Sequence, residues 1–304
     1  MKLANTTAEF DLLLDTPLDR VKAIQNAGFT NIDLSFYTEC RPDSVYLRED
    51  WRKTVDELKA YGEENGVHYA QAHCAPGNPL SLDENYDLML RAHIRSLEVC
   101  GLLGIPNTVI HAGWAPGIGR EEFYERNLAY IRKLIPALEE TGVTLCVENS
   151  STVNRPNMFY FVDGGELARF LEYVDHPLVR ACWDTGHANM EGPQYEEIVA
   201  LGDRLRAVHI NDNFGKLDDH VLPFMGTVNM DEVMNALLDV GYKGCFTFEC
   251  DTTMRLDRNR LYPRRPFPRD TRLASPNLAM CEAMVRASFE IGRQILLAYG
   301  CYEE

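Results

Sequence analysis

The sequence predicts an α/β fold, a single (β/α)8 barrel of the TIM-barrel type, and three observations lead to it. Eight short apolar stretches alternate with longer stretches of helical spacing, as expected of successive right-handed βαβ units. Most helical stretches stop at a glycine, and an apolar stretch follows after a short turn. An open doubly wound sheet usually has a glycine-rich phosphate loop after its first strand, whereas this chain has Asn5-Thr6-Thr7-Ala8 there. We therefore predict one closed barrel domain over residues 1–304.

The predicted strands are short apolar runs bounded by turn residues. In chain order they are Lys2–Asn5, Asn31–Ser35, Val67–Ala72, Asn107–Ile110, Val143–Val147, Val179–Trp183, Leu205–Val208 and Cys245–Phe248. The predicted helices carry apolar residues at helical spacing, and glycine or proline marks the turns after them. In chain order they are Pro17–Ala27, Trp51–Asn65, Leu82–Cys100, Glu121–Glu140, Gly165–Val174, Tyr195–Leu201, Met230–Val240 and Asn277–Leu297. Because a helix follows every strand, the strands are expected to run parallel.

Four of the predicted strands run directly into a side chain that can bind a metal ion. The fifth to eighth strands are followed by Glu148, Asp184, His209 and Glu249. The carboxyl ends of barrel strands form the active-site face, so these side chains are expected to converge there. Carboxylates together with one imidazole form a hard oxygen and nitrogen donor set, which suits manganese, magnesium, cobalt or zinc. The alternative is a set of unrelated strand-end acids that backbone amides satisfy.

The composition indicates a chain that can bury a sizeable core and that repels polyanions. The formal charge of −16 opposes attraction to nucleic acid or to an anionic membrane. Neither a signal peptide nor a bilayer-spanning stretch is predicted. The nine cysteines are scattered and form no C-x-x-C pair, which indicates thiols in a reducing cytosol. We expect a cytoplasmic protein without nucleic-acid or membrane partners, and a homo-oligomer stays open.

The strand-end motifs resemble the xylose isomerase-like barrels, a superfamily with sugar phosphate isomerases, ketose 3-epimerases, inositol-pathway enzymes and endonuclease IV. The resemblance covers most of the chain and rests on V-E-N at Val147–Asn149, W-D-T-G-H at Trp183–His187, V-H-I-N-D at Val208–Asp212 and F-E at Phe248–Glu249. It implies that Glu148, Asp184, His209 and Glu249 bind one divalent ion, with manganese as the first expectation, and that His187 contacts the substrate. The chain departs from the epimerase pattern after the seventh strand, where Phe214-Gly215-Lys216 replaces an arginine.

The expected activity is isomerisation or epimerisation of a sugar, a sugar phosphate or a cyclitol through an enediolate. A divalent ion chelated by a carbonyl and its neighbouring hydroxyl makes the intervening C–H acidic. Glu148 and Glu249 lie on strands three apart around the predicted ring, so one is expected to take the proton and the other to return it. Return to the opposite face gives epimerisation, and transfer between neighbouring carbons gives isomerisation.

Further histidines support an alternative function, the hydrolysis of phosphodiesters. In endonuclease IV three zinc ions are held by the residues that match His73, His111, Glu148, Asp184, His187, His209, Asp218, His220 and Glu249. Against this activity stand the acidity of the chain and Ala112, where the endonuclease pattern has a proline. In the sugar-active alternative, the wall of the substrate pocket is formed by His73, His111, Trp114, His187 and His220.

A long loop is predicted after the eighth strand, at about residues 250–275, and it is rich in arginine. Overhanging the barrel mouth, groups such as Arg264 and Arg265 would clamp a phosphate or carboxylate of the substrate. The alternative is a lid or a subunit contact. Three aromatic residues also follow strand ends and either stack on a sugar or pack beneath a loop: Phe36, Tyr37 and Trp114.

A third hypothesis is a barrel that keeps its metal only for structure, as one subunit of a larger assembly. Such a protein would bind metal and exchange no substrate proton. A structural ion rarely needs ligands from four strand ends and a further histidine at an open rim, which favours the enzyme.

Overall fold

The computed structural model describes residues 1–158, 161–251, 253 and 277–304. At its centre eight parallel strands follow one another in the order β7-β6-β5-β4-β3-β2-β1-β8. They are β1 Leu3–Thr6, β2 Asn31–Ser35, β3 His68–His73, β4 Asn107–His111, β5 Thr144–Glu148, β6 Val179–Asp184, β7 Leu205–His209 and β8 Phe246–Phe248. The ring closes just beyond β7, where the Ile210 amide donates to Thr247 O at 2.7 Å. The predicted (β/α)8 barrel is confirmed, and the assignment of residues 1–304 to one domain stays a prediction.

Helices connect the strands, as predicted. They are α1 Pro17–Asn26, α2 Trp51–Asn65, α3 Tyr86–Leu103, α4 Arg120–Thr141, α5 Gly164–Val174, α6 Thr185–Asn189, α7 Tyr195–Leu201, α8 Met230–Asp239 and α9 Leu278–Ala298. The third helix begins four residues later than predicted, because Asp83 forms a turn instead. The Asp83 side chain accepts from Ser81 Oγ at 2.7 Å and from the Asn85 amide at 2.8 Å. The short helix α6 was not predicted.

Glycine ends three of the long helices, as the sequence indicated. Gly66, Gly104 and Gly142 follow α2, α3 and α4 with φ angles of 67°, 70° and 71°. This left-handed conformation costs free energy for residues with a Cβ atom, so glycine is favoured at each of these positions. The left-handed glycine therefore ends each helix and turns the chain towards the next strand.

The barrel interior contains a small buried layer directly beneath the predicted site. This layer is separate from the main core and consists of Val109, Cys146, Cys182 and Ala207. Side chains alternate between the two faces of a strand, so residues two positions further on point to the same side. Those residues are His111, Glu148, Asp184 and His209. The alternation of the strands thus directs four polar side chains into the mouth of the barrel.

The main core lies between the sheet and the helices, where the intervening strand residues point. Trp183 precedes Asp184 and is fully buried on this outer side, with its indole N–H donating to Gln194 at 3.1 Å. Phe248 likewise precedes Glu249 and packs edge-on against Phe29 at 6.2 Å between ring centroids. Burial of these aromatic rings fixes the direction in which each following carboxylate points.

All nine cysteines lie among the residues that the structure describes; none of them forms a disulfide bond, and six are buried. Cys146 and Cys182 lie inside strands as predicted, whereas Cys245 lies just before β8 and is half-buried. Across the residues that the structure describes, no helix combines the length and the apolar character needed to cross a bilayer.

Candidate metal centre and cavity

The four predicted ligands meet at the carboxyl ends of β5 to β8. Glu148, Asp184 and His209 end their strands and are buried, and Glu249 directly follows β8. One ligand atom of each residue lies within 4.8 Å of the other three. His209 Nδ1 lies 2.6 Å from Glu148 Oε1 and 3.3 Å from Glu249 Oε2. The residues that the sequence placed at one rim therefore form one cluster.

Two asparagines hold Asp184 in place. The Asn149 side chain brackets the Asp184 backbone, accepting from its amide at 2.6 Å and donating to its carbonyl at 3.1 Å. Asn211 Nδ2 donates to Asp184 Oδ2 at 2.6 Å. Asp184 Oδ1 accepts from the His187 amide at 2.6 Å and thereby caps the N-terminus of α6. These contacts fix the position and the direction of the carboxylate.

The two ring nitrogens of His209 have different neighbours. Nδ1 points to the ligand cluster, and Nε2 points to the buried carboxylate of Asp33. The Nε2 atom lies 3.6 Å from Oδ2 of Asp33, which is in β2 on the opposite side of the barrel. The same oxygen of Asp33 accepts from Gln71 Nε2 at 3.0 Å. A carboxylate behind a metal-binding imidazole orients the ring and favours the lone pair on the other nitrogen. Asp33 is therefore suited to support Nδ1 of His209 as a ligand atom.

His73 and His111 reach the same cluster from β3 and β4. Oε2 of Glu148 lies 2.6 Å from His111 Nε2 and 3.7 Å from His73 Nε2. Nδ1 of His73 lies 2.9 Å from the Cys74 carbonyl, so this nitrogen carries a proton and donates it. His73, Glu148 and His209 form a second group of ligand atoms within 4.8 Å of one another.

A third group consists of Asp184, His187 and His220, again within 4.8 Å. Asp218 connects the two histidines, since its Oδ2 lies 3.2 Å from His187 Nε2 and its Oδ1 lies 3.0 Å from His220 Nε2. His220 adopts a left-handed backbone with φ of 42°, which is uncommon for a residue other than glycine. The surrounding contacts hold this residue against the barrel mouth.

Burial and opposite charges shift the pKa values of this cluster. Burial alone would raise the pKa of Glu148. The charges and hydrogen bonds of His209 and His111 have a larger effect and hold this pKa well below its usual value. Burial raises the pKa of Glu249 to about 7, although His209 and His220 act in the opposite direction. Burial would lower the pKa of His187, but Asp184 and Asp218 raise it to about 10. Protonated histidines thus compensate the carboxylates in the metal-free protein.

The donor set fits a divalent ion. Ligand atoms on opposite sides of such an ion are roughly 4–5 Å apart, because each lies about 2.0–2.5 Å from it. The four ligand atoms all lie within 4.8 Å of one another, so they are close enough to bind a single ion. A cation among the carboxylates of Glu148, Asp184 and Glu249 would replace the protons that the histidines carry. The oxygen-rich set does not select between manganese, magnesium, cobalt and zinc.

Two residues of the cluster, Glu148 and Glu249, line a cavity of about 160 Å³. The five residues that the sequence assigned to substrate binding all line it: His73, His111, Trp114, His187 and His220. Tyr37 also lies in its wall. Phe36 does not, since its side chain is buried and packs edge-on against Tyr46 at 4.9 Å between ring centroids. For Phe36 the packing alternative is therefore correct, because the neighbouring loop covers its ring.

The fold and the motifs agree with a known family. The family model described as "Xylose isomerase-like TIM barrel" matches residues 21–265. The chain belongs to this family. The resemblance inferred from the V-E-N, W-D-T-G-H, V-H-I-N-D and F-E motifs is thereby confirmed.

The proteins to which this chain is similar include a sugar epimerase and a probable endonuclease. Fructoselysine 3-epimerase of Escherichia coli O157:H7 is 41% identical over 193 residues, which are 62% of this chain and 60% of that protein. Probable endonuclease 4 of Methanoculleus marisnigri is 34% identical over 154 residues, which are 46% of this chain and 54% of that protein. The matched regions thus span little more than half of either relative. The crystal structure of the IOLI protein with a binding zinc atom has the same fold, with a TM-score of 0.74 at 17% identity over 98% of this chain and 99% of that one.

In this xylose isomerase-like barrel the loop between β8 and α9 is described at Glu249, Cys250, Asp251, Thr253 and Asn277 only. Asp251 lines the cavity. The arginines of the predicted insert, Arg264 and Arg265 among them, lie outside the described residues.

Sequence reasoning missed several residues that shape the site: Asp33, Asn149, Asn211 and Arg155. Asn149 and Asn211 lie within the motifs V-E-N and V-H-I-N-D. Nothing in the spacing of these motifs indicates that their amide side chains hold a ligand in place. Asp33 carried the clearest signal, because it lies between Ile32 and Leu34 in the middle of a predicted strand, and a carboxylate that is buried there requires a partner. Arg155 carried none, because it lies in an irregular loop.

Proposed function

We propose that this protein is a metal-dependent carbohydrate epimerase or isomerase that moves a proton through an enediolate intermediate. The observation that carries the proposal is the cluster of Glu148, Asp184, His209 and Glu249 beneath a cavity at the carboxyl ends of the strands. The similarity to fructoselysine 3-epimerase supports carbohydrate chemistry at this site. The relatives support an enzyme of the isomerase or epimerase class acting on a small molecule.

A divalent ion held by the four residues would supply Lewis-acid polarisation of the substrate carbonyl. Glu148 and Glu249 are the proton-transfer groups in this proposal, one removing the proton next to the carbonyl and the other returning it. Both carboxylates belong to the cluster, and both line the cavity. His187 and His220 donate hydrogen bonds to substrate hydroxyls, which fixes the sugar relative to the two carboxylates.

Manganese is the ion that we propose, and the cytoplasm is the compartment. The absence of a disulfide bond among the nine cysteines, all of which lie in the described part of the chain, supports a reducing compartment. The formal charge of −16 supports a small-molecule substrate over a nucleic acid.

Deuterium exchange tests the proposed function directly. The manganese-loaded protein is incubated in D2O with a panel of ketoses and ketose phosphates, and deuterium is expected at a carbon next to the carbonyl. Glu249→Gln is expected to abolish this exchange and to leave the fold in place, because the carboxylate is a ligand and a base rather than core packing. Glu64→Gln, on the exposed face of α2, is the matched control. Metal binding without exchange of any substrate in the panel would contradict the proposal.

The second candidate function is phosphodiester hydrolysis with three zinc ions. The specific observation that favours it is the overlap of three ligand groups, which share Glu148, Asp184 and His209 between them. The similarity to a probable endonuclease 4 agrees with this alternative. About three zinc ions per chain together with cleavage of DNA at abasic sites would establish it, whereas the epimerase predicts about one ion per chain and no cleavage.

A further inference from the structure

Arg155 lies in the cavity wall, stacked on Trp114. Its guanidinium carbon is 3.9 Å from the centroid of the indole ring. Both residues line the same cavity as Glu148 and Glu249 of the ligand cluster, and Arg155 is half-buried. A guanidinium on an aromatic face gains cation–π attraction and loses much of its freedom to rotate. The pair therefore forms an oriented cationic surface inside the cavity.

The backbone that carries Trp114 is held firmly by two side-chain amides. Asn78 accepts from the Trp114 amide at 2.9 Å and donates to the Trp114 carbonyl at 2.8 Å. Asn127, which is buried in α4, accepts from the Gly113 amide at 2.7 Å. A Cβ atom at Gly113 would lie 2.7 Å from the Leu80 amide, so this segment also packs too tightly for a larger residue. The ring beneath Arg155 is therefore a fixed platform.

The loop that carries Arg155 is also tied to the site. The Arg155 amide donates to the Ser151 carbonyl at 3.0 Å, and Arg155 Nη1 donates to the Asn154 carbonyl at 2.8 Å. Asn154 Nδ2 donates to Asp218 Oδ2 at 2.8 Å, and that oxygen lies 3.2 Å from His187 Nε2. One chain of contacts thus leads from the loop of Arg155 to the histidine that contacts the substrate in the proposed function.

Arg155 is a basic side chain in a cavity wall whose other charged side chains are mostly acidic. Among the described residues that line the cavity, Arg155 is the only arginine or lysine, whereas Glu148, Asp218, Glu249 and Asp251 are acids. A guanidinium presents parallel N–H groups that match a carboxylate or a phosphate. In the proposed function the ligand cluster binds the carbonyl end of the sugar, and His187 and His220 bind its hydroxyls. An oriented arginine in the same wall adds recognition of an anion.

We infer that Arg155 binds an anionic group of the substrate, a phosphate or a carboxylate, and that the protein acts on an anionic sugar. This inference rests on the proposed function for the statement that the substrate is a sugar. Its second part, that the substrate also carries an anionic group, rests on the Arg155–Trp114 pair. Arg155 is a specificity-determining residue in this assignment and takes no part in proton transfer.

Binding measurements on the manganese-loaded protein test the inference independently of turnover. Three ligands are compared by calorimetry: fructose, fructose 6-phosphate, and fructose linked through nitrogen to an amino acid that supplies a carboxylate. The wild type is expected to bind one of the two anionic ligands at least ~10-fold more tightly than fructose. Arg155→Met is expected to weaken binding of that ligand by about 10- to 100-fold and to change fructose binding by less than about threefold. The anionic ligand with the larger loss identifies the group.

Two further variants complete the design. Arg155→Lys keeps the charge but loses the planar fork, so an intermediate loss is expected, and this variant carries the test where Arg155→Met does not fold. Arg132→Met removes an exposed arginine of α4 and is expected to match the wild type. Equal losses for fructose and both anionic ligands, or a wild type without preference for an anion, would overturn the inference. Arg155-dependent binding of an anionic ketose without deuterium exchange would instead overturn the proposed function and leave the anion site standing.

Discussion

His209 Nδ1 lies 2.6 Å from Oε1 of Glu148, although the strands that carry them, β7 and β5, are separated by β6. The two side chains meet because both point into the barrel from equivalent positions, two residues beyond Ala207 and Cys146 of the small inner layer. Closure of the barrel thus produces a contact between residues 61 positions apart in the chain. The ligand cluster depends on this convergence, and several measurable properties follow from it.

Divalent metal is expected to stabilise the protein against heat. An ion that binds the folded state alone adds roughly 2.7 kcal/mol at about 100 times its dissociation constant. For a chain of 304 residues that corresponds to a rise in Tm of roughly 4 °C. Manganese is titrated into chelator-treated protein, and Tm is followed by circular dichroism. Glu148→Gln is expected to remove most of the shift, because it removes a charged ligand.

The exposed residue Glu64 provides the matched control for this experiment. Glu64→Gln is expected to keep the full shift. An equal shift in Glu148→Gln would show that the stabilising ion binds somewhere else.

Asp33→Asn is expected to weaken metal binding without removing a ligand. The Asp33 carboxylate lies 3.6 Å behind Nε2 of His209, and its loss lowers the basicity of Nδ1 and frees the ring to turn. Partners of this kind typically contribute 10- to 100-fold to metal affinity. The dissociation constant is measured by calorimetry. Asp56→Asn, on the exposed face of α2, controls for the change in net charge. Unchanged affinity in Asp33→Asn would exclude the orienting role.

Gly186→Ala is expected to damage the site through its neighbour. A Cβ atom on Gly186 would overlap Oδ1 of Asn211, whose Nδ2 donates to Asp184 at 2.6 Å. The displaced amide would release Asp184, so metal affinity is expected to fall at least ~10-fold, with a loss of about 1–3 kcal/mol in unfolding free energy. Urea unfolding and metal titration measure the two effects. Gly119→Ala, where no atom lies within 4 Å of the new Cβ, should leave metal affinity unchanged.

His93 is expected to make stability depend on pH. Its Nε2–H donates to the Ala75 carbonyl at 2.7 Å, and Nδ1 accepts from the Tyr130 hydroxyl at 2.6 Å, so the ring is held neutral. Burial is the main cause that lowers the pKa of His93 from 6.5 to about 4. The unfolded chain takes up this proton near pH 6.5 and the folded chain only near pH 4. The stabilisation is therefore complete above pH 6.5 and is lost, by up to about 3 kcal/mol, as the pH falls towards 4.

Urea unfolding of wild type and His93→Gln between pH 4 and 8 measures this contribution. The variant is expected to be less stable at pH 8, and the difference from the wild type should shrink as the pH falls. His68→Gln replaces an exposed histidine of β3 and is the control. A difference between wild type and His93→Gln that does not change with pH would contradict the assignment.

The sequence alone determined the fold class and the four candidate metal ligands at the carboxyl ends of the strands. Hydrophobic alternation, glycine stops and strand-end acids are local signals, because each depends on residues only a few positions apart. Glu148, Asp184, His209 and Glu249 were identified in this way, and their roles as ligands and bases stay predictions. The same signals placed most helices and strands within a few residues of their observed bounds.

Only the tertiary structure decided which side chains hold those four ligands in position. The short helix α6 was missed, because Asp184 was interpreted as a ligand and not also as the N-cap of the helix. The partnership of Asp33 with His209 joins opposite sides of the barrel, and that of Arg155 with Trp114 joins two separate loops. Neither pair has a sequence spacing that marks it. Side-chain partnerships of this kind depend on the closure of the ring and the course of its loops, which bring distant residues within a few ångströms of each other.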